Sequence, residues 1–181
     1  MTLLSSARRF TAVAATVALC TCGTLDRFDV GTSSSARIEE ASLPAGVAED
    51  LLGLLPFEGL DEISFEEDIA NQGVTEDQID SVKLKSLVLH TGESGLTLDF
   101  IESVEFYVEA EGQPRVLVAT GSDFEGETSV ELDLPDEELK PYVVAPFMTF
   151  EAEVKGKRPE QDTTITADVT LTVDATVPGC E

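Results

Sequence analysis

The chain has 181 residues, with 36 acidic side chains against 11 Lys and Arg, and a formal net charge of −25. A surface of that sign excludes nucleic acid as a partner, because phosphate binding needs a basic face. It also repels an anionic lipid surface unless a covalent lipid holds it there. Hydrophobic residues make up 42% of the chain, so this is a folding sequence and not a disordered one. Lysine is confined to Lys83, Lys85, Lys140, Lys155 and Lys157. Such a bias suits a saline habitat or colloidal solubility before it suits a divalent-cation surface.

The first element is a short basic start, Ala7-Arg8-Arg9, followed by the uncharged apolar run 10–19 (FTAVAATVAL) and by Cys20-Thr21-Cys22. This order reads as an export signal over residues 1–21, too short to span a bilayer permanently. Its ending resembles the lipobox of bacterial lipoproteins, where a peptidase cuts just before a cysteine whose sulfur carries a diacylglycerol. Two frames carry the resemblance, Val17-Ala18-Leu19-Cys20 and Leu19-Cys20-Thr21-Cys22. The cut bond needs a small residue before it, so the resemblance assigns the lipid to Cys22, with Cys20 as the alternative. It implies a precursor of an anchored lipoprotein, and Gly23 in place of Asp after the cysteine implies the outer membrane. Ordinary signal cleavage, giving a soluble periplasmic or secreted protein, is the competing address. With Cys22 lipidated, Cys180 is a lone thiol; with Cys20 lipidated, Cys22 can pair with Cys180 in an oxidising compartment.

Residues 22–35, with the polar run Gly31-Thr32-Ser33-Ser34-Ser35, read as a tether. Residues 36–181 suit a single domain. Within it, 36–79 reads as an N-terminal strand (36–40) and a helical segment packed on a sandwich formed by 80–181. The helix is expected over 45–55 (AGVAEDLLGLL), where Val47, Leu51, Leu54 and Leu55 share an amphipathic stripe and Pro56 stops it. Thr75-Glu76-Asp77-Gln78 has capping-box spacing and begins a short helical turn.

From residue 80 the period changes to two. Val104, Phe106, Val108 and Ala110 alternate with Glu105, Tyr107 and Glu109. Val130, Leu132 and Leu134 alternate with Glu131 and Asp133. Met148, Phe150, Ala152 and Val154 alternate with Thr149, Glu151 and Glu153. Ile165, Ala167, Val169, Leu171 and Val173 alternate with Thr166, Asp168, Thr170 and Thr172. Each reads as a half-buried strand with a wet face. Residues 115–120 (RVLVAT) are apolar on both faces and read as a better covered strand. Residues 82–90 change phase near Ser86, as a bulge would cause. Residues 135–141 read as one helical turn in a crossing connection. Six strands and a candidate seventh make the fold mainly β, an antiparallel two-sheet sandwich with one N-terminal amphipathic helix. The arrangement resembles an immunoglobulin-like sandwich loosely, without its Trp or an in-strand Cys pair.

Chemistry-bearing constellations are few. His90 is the only histidine, so a Ser-His-Asp arrangement would have to use it, and no Gly-x-Ser-x-Gly element accompanies it. One His and at most two mature thiols do not make an ordinary zinc site. Carboxylate pairs abound, but a sugar site leans on aromatic platforms, and Trp is absent. No Asp-x-Asp-x-Asp-Gly loop occurs. Asp162, Asp168 and Asp174 share a strand face about 20 Å apart and cannot share an ion. The helix reads as a plug for one end of the sandwich, or as a lid over a lipid-tail cavity. The sequence therefore points to a non-enzymatic protein without metal or cofactor, anchored in the cell envelope and serving as a binding or structural module for another envelope protein. The alternatives are a periplasmic carrier of a hydrophobic ligand such as a lipid, or a calcium-dependent adhesion module.

Overall fold

A period-two sequence pairs its backbone with neighbouring strands and buries one face, and the described strands of this chain do so. The computed structural model describes residues 27–40, 50–55, 57–60, 63–92 and 95–176. Among these, eight strands form: β1 (Arg27–Ile38), β2 (Asp50–Leu55), β3 (Ile79–Thr91), β4 (Ile101–Ala110), β5 (Val116–Ser122), β6 (Ser129–Glu131), β7 (Met148–Lys157) and β8 (Thr163–Ala175). Two short helices, α1 (Glu66–Asn71) and α2 (Lys140–Val143), and a 3-10 turn at Glu76–Gln78 complete the order. The expected capping box is made at that turn, where the Thr75 backbone N–H donates to Gln78 Oε1 at 2.8 Å. None of the described helices is long and apolar enough to cross a membrane.

The strands make two antiparallel sheets, ordered β1-β8-β3-β6 and β2-β7-β4-β5. The pairs β1·β8, β2·β7, β3·β6 and β4·β5 nest inside one another, like a long hairpin wrapped over itself. This is jelly-roll connectivity. The immunoglobulin arrangement is not adopted, since it would put the first two strands in one sheet. Both open sides of the sandwich are tied. On one side Thr120 and Asp133 exchange two backbone hydrogen bonds of 2.8 Å, while the Leu132 N–H donates to Leu87 O at 2.9 Å. On the other, the Glu58 N–H donates to Ser35 O at 3.3 Å and the Ser34 hydroxyl donates to Glu58 O.

The core lies between the sheets. Phe106, Leu87, Leu89, Ile165 and Leu171 are fully buried in it, and Phe57 packs on Phe106 with ring centroids 5.8 Å apart. Strand β8 shows strict alternation, every second residue from Thr163 to Ala175 being buried. The expected inward sets on β4, β7 and β8 are the buried ones, save that Ala110 is only partly covered. The bulge expected near Ser86 is present as a register shift between Leu84 and Ser86.

Several expectations need correction. No helix spans 45–55: residues 50–55 are strand β2, hydrogen-bonded to β7, and residues 45–49 lie outside those described. The free edge of β7 overrides a helical apolar stripe that is only local. The tether expected over 22–35 is strand from Arg27 onward, because β8 pairs with it residue by residue from Arg27↔Asp174 to Ile38↔Thr163. The strand expected at 36–40 is the last part of β1. Segment 115–120 is not a doubly covered strand but the sheet edge β5. Its apolar run reflects a bulge opposite Phe106 and Tyr107, which turns both Val118 and Ala119 inward. The helical turn expected at 135–141 forms later, as α2.

One end of the sandwich gathers the start of β1, the end of β8 and the start of β3, since Arg27 faces Asp174 and Ile79 faces Ala175. The 3-10 turn, α2 and the β4–β5 turn share that end. Thr176 N–H donates to Gln78 O at 2.8 Å, Leu139 N–H to Val82 O at 2.8 Å, and the Tyr142 hydroxyl to Pro114 O at 2.8 Å.

Candidate binding face

The outer face of the sheet β2-β7-β4-β5 concentrates unlike groups. Alternation turns Glu105, Tyr107 and Glu109 of β4 outward, with Glu151 and Glu153 of β7 beside them. The register sets Glu105 opposite Glu153 and Tyr107 opposite Glu151. Like charges directly opposite are destabilising. The short turn after β4 delivers one cation to the cluster. The Arg115 guanidinium stacks 3.5 Å from the Tyr107 ring centroid and pairs with Glu109 at 3.1 Å, Glu151 at 3.2 Å and Glu153 at 2.6 Å. Glu105, left without the arginine, accepts the Tyr107 hydroxyl at 2.7 Å.

This arrangement shifts two of its members, Arg115 and Tyr107. Desolvation works against the charged Arg115, but the hydrogen bond and charge of Glu153, then of Glu151, outweigh it and hold the guanidinium above its ordinary pKa. The hydrogen bond to Glu105, with desolvation next, pushes the Tyr107 phenol above its usual value. The face sets four carboxylates around Arg115 and Lys155. An open groove of about 430 Å³ runs across it, lined by Leu54, Glu105, Arg115, Glu151, Glu153 and Lys155 among others. Leu54 is 61% exposed at its edge. Chemically, this is a surface that receives a cation or a hydrogen-bond donor.

The outer face of the opposite sheet is polar. Asp29 is held below the usual carboxylate range by hydrogen bonds from Lys85 and then Thr172. Asp162 is lowered by the Glu40 backbone N–H and then by Arg37. His90 stands on this face with Nε2 3.1 Å from Asp168 Oδ2, and Ser129 of β6 is its register partner. The structure thus brings a Ser, the His and an Asp near one another. No hydrogen bond joins Ser129 to His90, and among the described residues nothing covers this sheet face to shield an oxyanion from water. Asp162 and Asp174 are instead ion-paired to Arg37 and Arg27. Among the described residues no three His, Cys, Asp or Glu side chains group as a metal site.

Cys20, Cys22 and Cys180 lie outside the described residues. The residues that matter most on the acidic face, Arg115 and Tyr107, were not singled out by sequence reasoning. A usable signal was there: a lone Arg just past a Gly-Pro turn, across a hairpin from Glu-x-Tyr-x-Glu.

No protein-family model matches the chain, and no curated protein does. Among solved structures it is similar to the decameric BFDV capsid protein, with TM-score 0.45 and 8% identity over 83% of this chain and 98% of that one. It is similar also to the 60-mer BFDV capsid protein, with TM-score 0.41 and 9% identity over 86% of this chain and 96% of that one. Likeness at this level says nothing of what the chain does.

Proposed function

We propose that this protein is exported, carries a lipid on Cys22, and serves without catalysis as a binding module of the cell envelope. The observation that supports a binding role is the outer face of β2-β7-β4-β5, a grooved surface with four carboxylates around one stacked arginine. Its complement is a basic surface on another envelope protein. Exposed Leu54 supplies an apolar contact beside the charges, the usual mixture at a transient interface. The carrier reading loses its lid, because residues 50–55 are built into a sheet. The calcium reading has no grouped carboxylate site among the described residues to rest on.

Two measurements test this. Clickable fatty acid should label the wild type in cells and not Cys22→Ser; labelling that is lost only in Cys20→Ser would move the anchor, and an unlabelled wild type would refute it. A photo-crosslinking residue placed at position 54 should trap a discrete basic envelope protein in intact cells, while the same group at 170, on the opposite sheet, should not. Equal trapping at both positions, or none at either, refutes the binding face.

A further inference from the structure

We infer that the end of the sandwich where β1 starts and β8 stops lies against the bilayer, with Phe147 inserted at the lipid interface as a second attachment point. The inference rests on the lipid-anchor reading. It starts from length: once β1 claims Arg27, only residues 23–26 separate it from Cys22. Five residue steps at about 3.5 Å each span at most about 18 Å. The end bearing Arg27 is therefore held within a short reach of the membrane, not swung out on a long tether.

That same end presents an apolar tip. Strand β7 begins there, next to α2, whose Tyr142 touches the β4–β5 turn. The segment between α2 and β7 reads Val144-Ala145-Pro146-Phe147, with Pro146 and Phe147 exposed. Phe147 and Leu54 are the two large hydrophobic side chains that stay exposed among the described residues, Phe147 at 56%. Leu54 belongs to the acidic face; Phe147 projects at the anchored end. An aromatic ring at a bilayer interface gains apolar burial without losing a buried partner. A single ring is a weak anchor alone, but a covalent lipid just before Arg27, at the same end of the sandwich, makes its insertion nearly intramolecular. The surrounding end carries Glu76, Asp77, Asp80, Asp136, Glu137 and Glu138, so the preferred surface is zwitterionic, and anionic lipid weakens the contact.

The chain has no Trp, so Phe147→Trp is a single fluorescent probe. The full lipidated protein, its acyl mass first verified, is reconstituted in phosphatidylcholine vesicles with brominated acyl chains. The probe at 147 should shift its emission to the blue and lose most of its intensity to the bromines. A probe introduced by Glu160→Trp, at the far end before β8, should do neither. Adding phosphatidylglycerol should weaken the quenching, and salt should restore it. A probe introduced by Pro146→Trp should be quenched in the same vesicles, and adding Phe147→Glu to it should abolish that quenching at unchanged melting temperature. A verified acyl mass with an unquenched probe at 147 overturns this inference alone. Missing acyl mass overturns it together with the anchor. Shielding in native membranes but not in pure lipid overturns it in favour of a protein partner.

Discussion

The Arg115 guanidinium lies over the Tyr107 ring, and the Tyr107 hydroxyl donates onward to Glu105, so one arginine organises a face whose carboxylates would otherwise repel. Arg115→Ala should lower unfolding free energy by about 1–2 kcal/mol, the sum of an exposed cation–π contact and partly screened ion pairs. Arg115→Lys should restore less than half of that, because an ammonium lacks the planar fork and the stack. Urea denaturation measures both. A lysine variant as stable as the wild type would show that charge alone matters.

Val169 is 1% exposed and points between the sheets, whereas Thr170 is only partly covered and points out. Val169→Asp buries an unpaired carboxylate at a cost of several kcal/mol and should abolish the cooperative thermal transition. Thr170→Asp should shift it only slightly. Equal damage would invert the assignment of faces.

Gly156 has no room for a side chain. A Cβ there would meet Phe100 O at 2.1 Å, where the Lys157 N–H bonds the same carbonyl at 2.7 Å and the β4–β7 register slips. The obstacle is backbone, so it cannot rotate away. Gly156→Ala should cost about 1–3 kcal/mol, read as a lower urea midpoint at unchanged slope. Gly59→Ala, in open space but at positive φ, is the comparison, and its cost comes from the backbone alone.

Asp162 has its pKa depressed in the folded state, so it contributes stability above its ordinary value of 3.8 and loses that contribution as pH falls through the folded value. Asp162→Asn should therefore be less stable than the wild type at pH 7, and the gap should close in strong acid. Thermal melts across that range check the sign. A gap that widens in acid would mean the carboxylate is not the anion held by Arg37 and the Glu40 N–H.

Repulsion among the outward carboxylates should make melting temperature rise with NaCl, as the Debye length falls toward about 8 Å. CaCl2 at matched ionic strength should add little. A saturable gain at micromolar calcium would instead reveal a specific site by linkage.

Much of the architecture was legible in the residues. A half-buried strand writes its own period of two, so the inward sets of β4, β7 and β8, the two-sheet class and even the bulge at Ser86 could be read locally. The acidic face was half legible. Its outward glutamates followed from alternation, but the meeting of Glu105 with Glu153 needed the β4–β7 register, and the role of Arg115 needed the hairpin closed.

What the sequence determined by itself was thus sidedness: which residues of each strand enter the core. What the tertiary structure decided was partnership, because a strand's partner lies far away in sequence and leaves no local trace. Leu54 and Leu55 fit one helical stripe, yet the edge of β7 takes them as strand, burying Leu55 and leaving Leu54 out. The run Gly31 to Ser35 looked like a linker because its inward residue is Ser34. That hydroxyl is satisfied by Glu58 O, an acceptor that only the folded chain brings to it. Buried polar groups of this kind are invisible to a hydrophobic pattern, and here one of them sits in β1, the strand that pairs with β8 far away in sequence.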